Sequence, residues 1–283
     1  MHFIKKNTMI SMLSLLTILM AVLLSSCGGE TSSRDFEMAI INGDQIEITK
    51  YVGEQKNVTI PSEVDGKAVT SIGKNAFWGC EEITSIKIPE GVTNIGTSAF
   101  FNCMKLKQIT FPATVMSIGE SVFSKCSSLE TIDVTAPNMA YYSVDGVLFD
   151  RHMTEIISYP AKKSGEYVIP DSVVNIRKNC FSGCALLTKI TIPDSVTEVG
   201  TNAFKGCSGI TEMILPEGLT SIRAGAFWEC SGMGSIKIPQ SVSNIGEDIF
   251  YGCAKLNYIY VKEGSYADTW CTDNSYTAAC TYY

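Results

Sequence analysis

The sequence predicts a mainly β solenoid of 23-residue coils, and three observations predict it. Cys80, Cys103 and Cys126 lie 23 apart, and Cys184, Cys207, Cys230 and Cys253 lie 23 apart again. Proline keeps the same beat at Pro89 and Pro112 and at Pro170, Pro193, Pro216 and Pro239, with Pro61 opening the series. Between these markers apolar residues alternate, as at Ile109 and Phe111 or Ile190 and Ile192, which is the pattern of short strands. A unit this short cannot bury its apolar face alone; stacked copies share a core and hydrogen-bond neighbour to neighbour.

The chain opens with Lys5 and Lys6, an apolar run from Met9 to Leu24, and Ser25-Ser26-Cys27. The run is shorter than the ~20 residues a spanning helix needs, so residues 1–26 read as a removable signal peptide. Leu24-Ser25-Ser26-Cys27 resembles the lipobox of bacterial lipoproteins. That resemblance implies cleavage before Cys27, acylation of Cys27, export, and a lipid anchor in the cell envelope, at the outer membrane or cell surface. Residues 27–35, beginning with Gly28-Gly29, read as a flexible tether.

Residues 36–260 form the solenoid. Asn42-Gly43 sits between the strand-like runs Phe36 to Ile41 and Gln45 to Tyr51, a hairpin signal that caps the first coil. Within each coil Ile-Pro ends a strand, because proline removes a backbone donor. Val-x-x-Ile-Gly, as at Val92 to Gly96, reads as a short strand and a second corner at a residue able to take positive φ. Ala-Phe-x-x-Cys fits one helical turn with Ala99, Phe100 and Cys103 inward, and Leu-x-x-Ile closes the coil as another strand. About eight such coils at the ~4.8 Å strand spacing make a rod roughly 40 Å long. Cys126 and Cys184 are 58 apart, 12 more than two periods, which places an insertion around 137–160. Asp65-Gly66 and Asp145-Gly146 predict two further hairpins, expected to project from the rod. Residues 261–283 lose the beat and read as an α/β cap, a short helix followed by a strand.

The combined beat Leu-x-x-Ile-x-Ile-Pro-x-x-Val-x-x-Ile-Gly-x-x-Ala-Phe-x-x-Cys resembles the BspA-type leucine-rich repeat of bacterial surface proteins, over residues from about 60 to 260. The Leu-x-x-Leu-x-Leu-x-x-Asn signature of other leucine-rich repeats is absent. The resemblance implies a noncatalytic protein that adheres to host proteins or to other cells.

Composition narrows the chemistry. With 22 Lys and Arg against 29 Asp and Glu the net charge is −7, and about −9 once Lys5 and Lys6 are set aside. That excludes nucleic acid as the expected partner, whose affinity rests on phosphate neutralisation. The two histidines are His2 and His152, too few for a multi-His metal site, and an enzyme would have to recruit His152 from an exposed turn. Glu81 and Glu82 are loop neighbours rather than carboxylates facing across a cleft. The cysteine column projects parallel side chains from successive coils, which suits buried free thiols and not a tetrahedral metal site; Cys180, in the alanine position, belongs with them. No metal and no cofactor is implied. Cys271 and Cys280 stand outside the column and are the disulfide candidates.

The position after Ala-Phe holds Trp78, Phe101, Ser124, Ser182, Lys205, Trp228 and Tyr251, one outward residue per coil. Trp78 beside Phe101 and Trp228 beside Tyr251 make two aromatic pairs, candidates for partner binding together with Tyr141, Tyr142 and Phe149 on the central hairpin. The same rings would also serve to cover the core beneath them. A second surface is the strand face of Lys87, Thr110, Asp133, Thr191, Ile214, Lys237 and Tyr260. The reading is a lipid-anchored protein that meets a protein partner, a host extracellular protein among them, and touches membrane through its lipid alone. The competing reading is a glycan-binding or envelope scaffold lipoprotein, and the oligomeric state stays open.

Overall fold

The computed structural model describes residues 31–283, so the signal peptide, Cys27 and the start of the tether lie outside the described residues. The end of the segment read as tether is held in place. Thr31 is buried and its Oγ1 accepts the Thr59 amide at 2.8 Å; Ser32 and Asp35 cap the 3-10 turn Ser33–Asp35 reciprocally. Short polar side chains look flexible in a sequence, yet they are the ones that satisfy the orphan amides of a turn.

From there the chain winds as a β-solenoid with few helices. One parallel ladder runs through Gln45–Tyr51, Lys67–Ile72, Asn94–Ile95 and Ser117–Ile118, and resumes at Glu155–Ser158, Asn175–Ile176, Glu198–Val199, Ser221–Ile222 and Asn244–Ile245. A second takes Asn57–Thr59, Ser85–Lys87, Gln108–Phe111 and Thr131–Val134, then Gly165–Val168 and Leu187–Thr191, then Glu212–Ile214, Ser235–Lys237, Tyr258–Val261 and Cys280–Tyr282. These strands exceed the eight coils read from the markers because the N-terminal cap adds Gln45–Tyr51 to the first ladder, and Asn57–Thr59 and the cap strand Cys280–Tyr282 extend the second, none with a column cysteine. Register is set by the repeat: Ile86, Ile109 and Ile132 pair in succession, as do Ile95 and Ile118, so like residues stack on like.

The Ala-Phe-x-x-Cys segment differs locally from the expected helical turn. Ala76 donates to Gly73 O and Cys80 to Phe77 O, closing two chained turns whose third residues, Asn75 (φ 60) and Gly79 (φ 74), are left-handed. A right-handed helix cannot carry such residues in its interior. The amide of Phe77 is left free to bond Ala99 O of the next coil at 2.7 Å, and these bonds form a third ladder. The Ile-Gly corner also has a different cause from the expected one. Gly96 and Gly119 are not among the positive-φ residues; a Cβ on Gly119 would sit 2.3 Å from Thr97 N of the preceding coil. Glycine is needed there for close approach.

The central hairpin does not project. Tyr141–Val144 pairs with Val147–Asp150 across the Asp145-Gly146 turn, and Val147–Asp150 pairs antiparallel with Glu155–Ser158, which joins the first ladder. Val147, Leu148 and Phe149 are fully buried. Successive strand residues face opposite ways, so Leu148 and Ile157 enter the core of the N-terminal coils while Val147, Phe149 and Ile156 enter that of the C-terminal coils. The hairpin thus divides one solenoid into two cores. Ring contacts along the column run from Tyr51 through Phe77 and Phe100 to Phe123, and start afresh at Tyr159 through Phe181, Phe204 and Phe227 to Phe250. The cap helix Tyr266–Asp273 closes the second core with Trp270, 6.0 Å from Phe250, and Tyr276 stacks on Trp270.

Candidate functional site

Alternation between inward and outward side chains builds the site. Phe77 is fully buried and the next residue, Trp78, is 60% exposed; Phe250 is buried and Tyr251 is 58% exposed. In-register stacking then brings the outward residues of adjacent coils together. Trp78 and Phe101 lie nearly parallel, 6.0 Å between centroids and 16° between planes, and Trp228 and Tyr251 lie 4.5 Å apart at 41°. A lysine lies over the inner ring of each pair: Lys125, the residue after the column's Ser124, has its Nζ 5.5 Å from the Phe101 centroid, and Lys205, of the column itself, has its Nζ 4.8 Å from that of Trp228. Each inner ring therefore has a neighbouring ring on one side and an ammonium group over it, a cation–π arrangement. Flat stacking of a sugar needs an open ring face, which the inner rings do not offer.

Between the two pairs the column carries Ser124 and Ser182, and here the third ladder stops. No backbone bond joins the turn around Phe123 to the turn around Phe181 among the described residues; Cys180 O accepts Tyr159 N at 2.9 Å instead. Side chains span the gap: Lys178 meets Glu120 at 2.7 Å and Asn179 donates to Ser121 Oγ at 2.6 Å. The hydrogen bond from Lys178 holds the Glu120 carboxyl below its ordinary range. A cavity of about 20 Å³ opens there, lined among others by Ser121, Ser124, Arg177, Lys178, Asn179 and Ser182.

The other candidates separate on inspection. Tyr141 is half-buried and its hydroxyl accepts the Ile118 amide at 2.9 Å, which gives it a place in the hairpin's own packing; burial raises its pKa. Tyr142 is exposed, 42%. On the strand face Lys87, Thr110, Asp133, Thr191 and Ile214 are exposed, and towards the cap Tyr260 stacks on Tyr258 at 6.2 Å. The cap strand adds Tyr282 and Tyr283, with Lys237 Nζ 4.4 Å from the Tyr283 centroid. Tyr258, Tyr282 and Tyr283 were not picked out from the sequence; pairing of the final strand beside Tyr258–Val261 is what gathers them, and the terminal Tyr282-Tyr283 was the available signal.

The thiols do more than fill space. Cys103 Sγ donates to Phe77 O, Cys126 to Phe100 O, Cys207 to Phe181 O, Cys230 to Phe204 O and Cys253 to Phe227 O, at 3.0 to 3.2 Å. Each carbonyl also receives the amide of its own coil's cysteine, as Phe77 O receives Cys80 N. Burial pushes Cys80 and Cys230 up to about 12 and Cys253 up to about 11. Cys271 and Cys280 are free thiols packed against one core, Cys271 buried and Cys280 half-buried. Burial first, and then the Cys280 thiol beside it, raises the pKa of Cys271. His152 lies exposed on a turn where its amide bonds Asp150. Among the described residues no group of three or more His, Cys, Asp or Glu is placed to hold a metal ion, and no helix is long and apolar enough to cross a membrane.

The family model of the BspA type leucine rich repeat region matches residues 50–160 and 158–276. No curated protein matches the chain. Among solved structures, a leucine-rich repeat protein from Eubacterium ventriosum is 25% identical, with a TM-score of 0.62 over 75% of this chain and 61% of that one. The chain thus spans about three fifths of the Eubacterium protein. The pneumococcal vaccine antigen PcpA is 20% identical with a TM-score of 0.58, covering 83% of this chain and 82% of its own, a likeness of fold.

Proposed function

The chain belongs to the BspA type leucine-rich repeat family, and on that premise we propose that it is a noncatalytic binding protein, lipid-anchored at the cell surface through Cys27. Its work is to present the outward column of the solenoid to a protein partner, in adhesion to a host extracellular protein or to another cell. The observation that carries this reading is the pair of aromatic clusters at Trp78–Phe101 and Trp228–Tyr251. Their outer rings stay more than half exposed while the phenylalanine column beneath them already fills the core. Exposed aromatics held rigidly by their neighbours suit an interface anchor, since little side-chain entropy remains to be lost.

The test uses immobilised extracellular matrix proteins and, in parallel, a glycan array. The reading expects capture by a protein surface, lost in the Trp228→Ala, Tyr251→Ala double variant while its unfolding midpoint stays unchanged. Retained capture by every partner found, or binding confined to the glycan array, overturns it. The anchor is tested on intact cells by protease shaving: the native protein is cleaved from outside, and Cys27→Ala is released. A native protein that is anchored yet shielded from protease would make it an envelope scaffold instead.

A further inference from the structure

The two ends of the solenoid are finished differently. At the C-terminal end the helix Tyr266–Asp273 brings Trp270 against Phe250 and closes the core. At the N-terminal end, among the described residues, the outermost element of the first ladder is the strand Phe36–Ile41, which pairs on one side only. Met38 and Ile40 lie opposite Ile48 and Ile46, both buried, so they share the core face of the hairpin. Ile40 is nevertheless 62% exposed, and Val52, just past the second strand, is 47% exposed. Glu37 is the one charge on the strand. An apolar edge with so little to blunt it pairs with other chains unless something covers it.

What covers it follows from where the chain enters. Thr31 Oγ1 accepts the amide of Thr59, in the outermost strand of the second ladder, and Asp35 O accepts the amide of Val52. The fold thus takes hold of the chain at Thr31, at that same end. Gly28, Gly29 and Glu30 are all that separates Thr31 from Cys27. Four Cα steps reach at most about 14 Å when fully extended, and the headgroup layer takes up roughly 5 Å or more of that. The remaining clearance is under about 10 Å, the spacing of one packed protein layer. Residues 31–56 carry Arg34, Lys50 and Lys56 against Asp35, Glu37, Asp44, Glu47 and Glu54, which gives no net attraction to anionic headgroups. Contact therefore rests on apolar surface and the short leash.

Resting on the lipid-anchor reading above, we infer that the N-terminal end of the solenoid is a membrane-contact face: the rod stands end-on upon the bilayer, with Ile40 and Val52 in the interfacial layer. The open strand is then covered by lipid, which also keeps its edge from pairing with a second copy. The near aromatic pair, Trp78 and Phe101, sits one to two rungs from Tyr51, roughly 5–10 Å from that end. Trp228 and Tyr251, towards the other end, are held away from the bilayer, where a partner outside the cell meets them first.

The full lipidated protein is reconstituted into phosphatidylcholine vesicles that carry a trace of phosphatidylcholine with a photoreactive diazirine near the glycerol end of one acyl chain. Peptide mapping after illumination should place the lipid adducts on residues 36–56 and leave residues 261–283 unlabelled. Ile40→Ser with Val52→Ser should lose most of those adducts, while vesicle association through Cys27 and the unfolding midpoint stay unchanged. Adducts spread along one side of many coils, or gathered at the C-terminal cap, overturn the inference, as does full labelling of the double variant. An N-terminal end free of adducts overturns it too; if that protein is a dimer after detergent extraction, a second copy covers the strand instead. Mass spectrometry separates this inference from its parent. A mature Cys27 without acyl chains removes the anchor and the inference together, whereas an acylated Cys27 with adducts elsewhere leaves the anchor standing alone.

Discussion

The solenoid is started twice, and the two starts are built from the same device with different sequences. At the N-terminus Phe36–Ile41 and Gln45–Tyr51 form an antiparallel hairpin whose last residue, Tyr51, donates to Ala76 O and stacks on Phe77. In the middle, Val147–Asp150 and Glu155–Ser158 form another, and Tyr159 donates to Cys180 O and packs on Phe181 at 5.1 Å. The terminal hairpin has coils on one side only, and its second strand alternates, with Ile46 and Ile48 buried while Glu47 and Thr49 are less so. The central hairpin has coils on both sides, and Val147-Leu148-Phe149 and Ile156-Ile157 are apolar without a break. A strand buried on both faces needs a continuous apolar run and a strand buried on one needs alternation. The difference teaches that the run around Leu148 marks an internal boundary, whereas an alternating hairpin marks an end.

That contrast can be broken most sharply by emptying each face in turn. At the centre both faces count: Phe149→Ala should cost about 3–5 kcal/mol and Leu148→Ala about 2–5 kcal/mol in urea unfolding. At the terminal hairpin one face counts. Ile48→Ala, fully buried, should cost about 2–5 kcal/mol, and Ile40→Ala, 62% exposed, no more than about 0.5 kcal/mol. A costly Ile40→Ala, or a harmless Leu148→Ala, would erase the distinction. Gly119→Ala probes the last regular coil before the junction and should cost about 1–3 kcal/mol, because the added methyl meets the Thr97 backbone.

Alkaline pH sharpens the comparison between the cores themselves. Burial raises the folded pKa of Cys253 to about 11 and those of Cys80 and Cys230 to about 12, from an ordinary 9.0. Above pH 9 the unfolded chain binds fewer protons than the folded one, so the stability present below that pH falls as pH rises towards 11. Each buried thiol contributes a slope of about 1.4 kcal/mol per pH unit. The C-terminal core, where Cys180, Cys184, Cys207, Cys230 and Cys253 are all raised, should lose more than the N-terminal core, where Cys80 and Cys103 are. Urea midpoints of core-specific probes across that range check it; equal losses would contradict it. The smallest expected effect is covalent: oxidised glutathione should link Cys271 to Cys280, read by peptide mapping, and leave the column thiols reduced. Linkage within the column instead would mean that the cap thiols are not the oxidisable pair.

The fold was legible because its beat is carried by residues whose chemistry is hard to replace. Proline at the corners, glycine at the close approach, and cysteine small enough to pack while donating to a carbonyl all recur at one period. The chained turns were less legible: Asn75 and Ser98 take positive φ through contacts with the next coil, which a single unit does not display. The hairpin around Leu148 was placed correctly in the chain and wrongly in space, since its turn signal says nothing about which side of the sheet it faces. Of the candidate site, the aromatic pairs followed from the period alone. The lysines over them, the serine notch and the tyrosines of the cap depend on which coils become neighbours across a 58-residue interval, and no local pattern carries that.

The claim on which the rest depends is that one hairpin serves two cores. Native-state amide hydrogen exchange, read separately for residues 60–132 and 165–260, tests it most directly in Leu148→Ala and Phe149→Ala. The account predicts that Leu148→Ala lowers protection chiefly in the first segment and Phe149→Ala chiefly in the second. Equal loss in both segments from either substitution would show a single continuous core and contradict it.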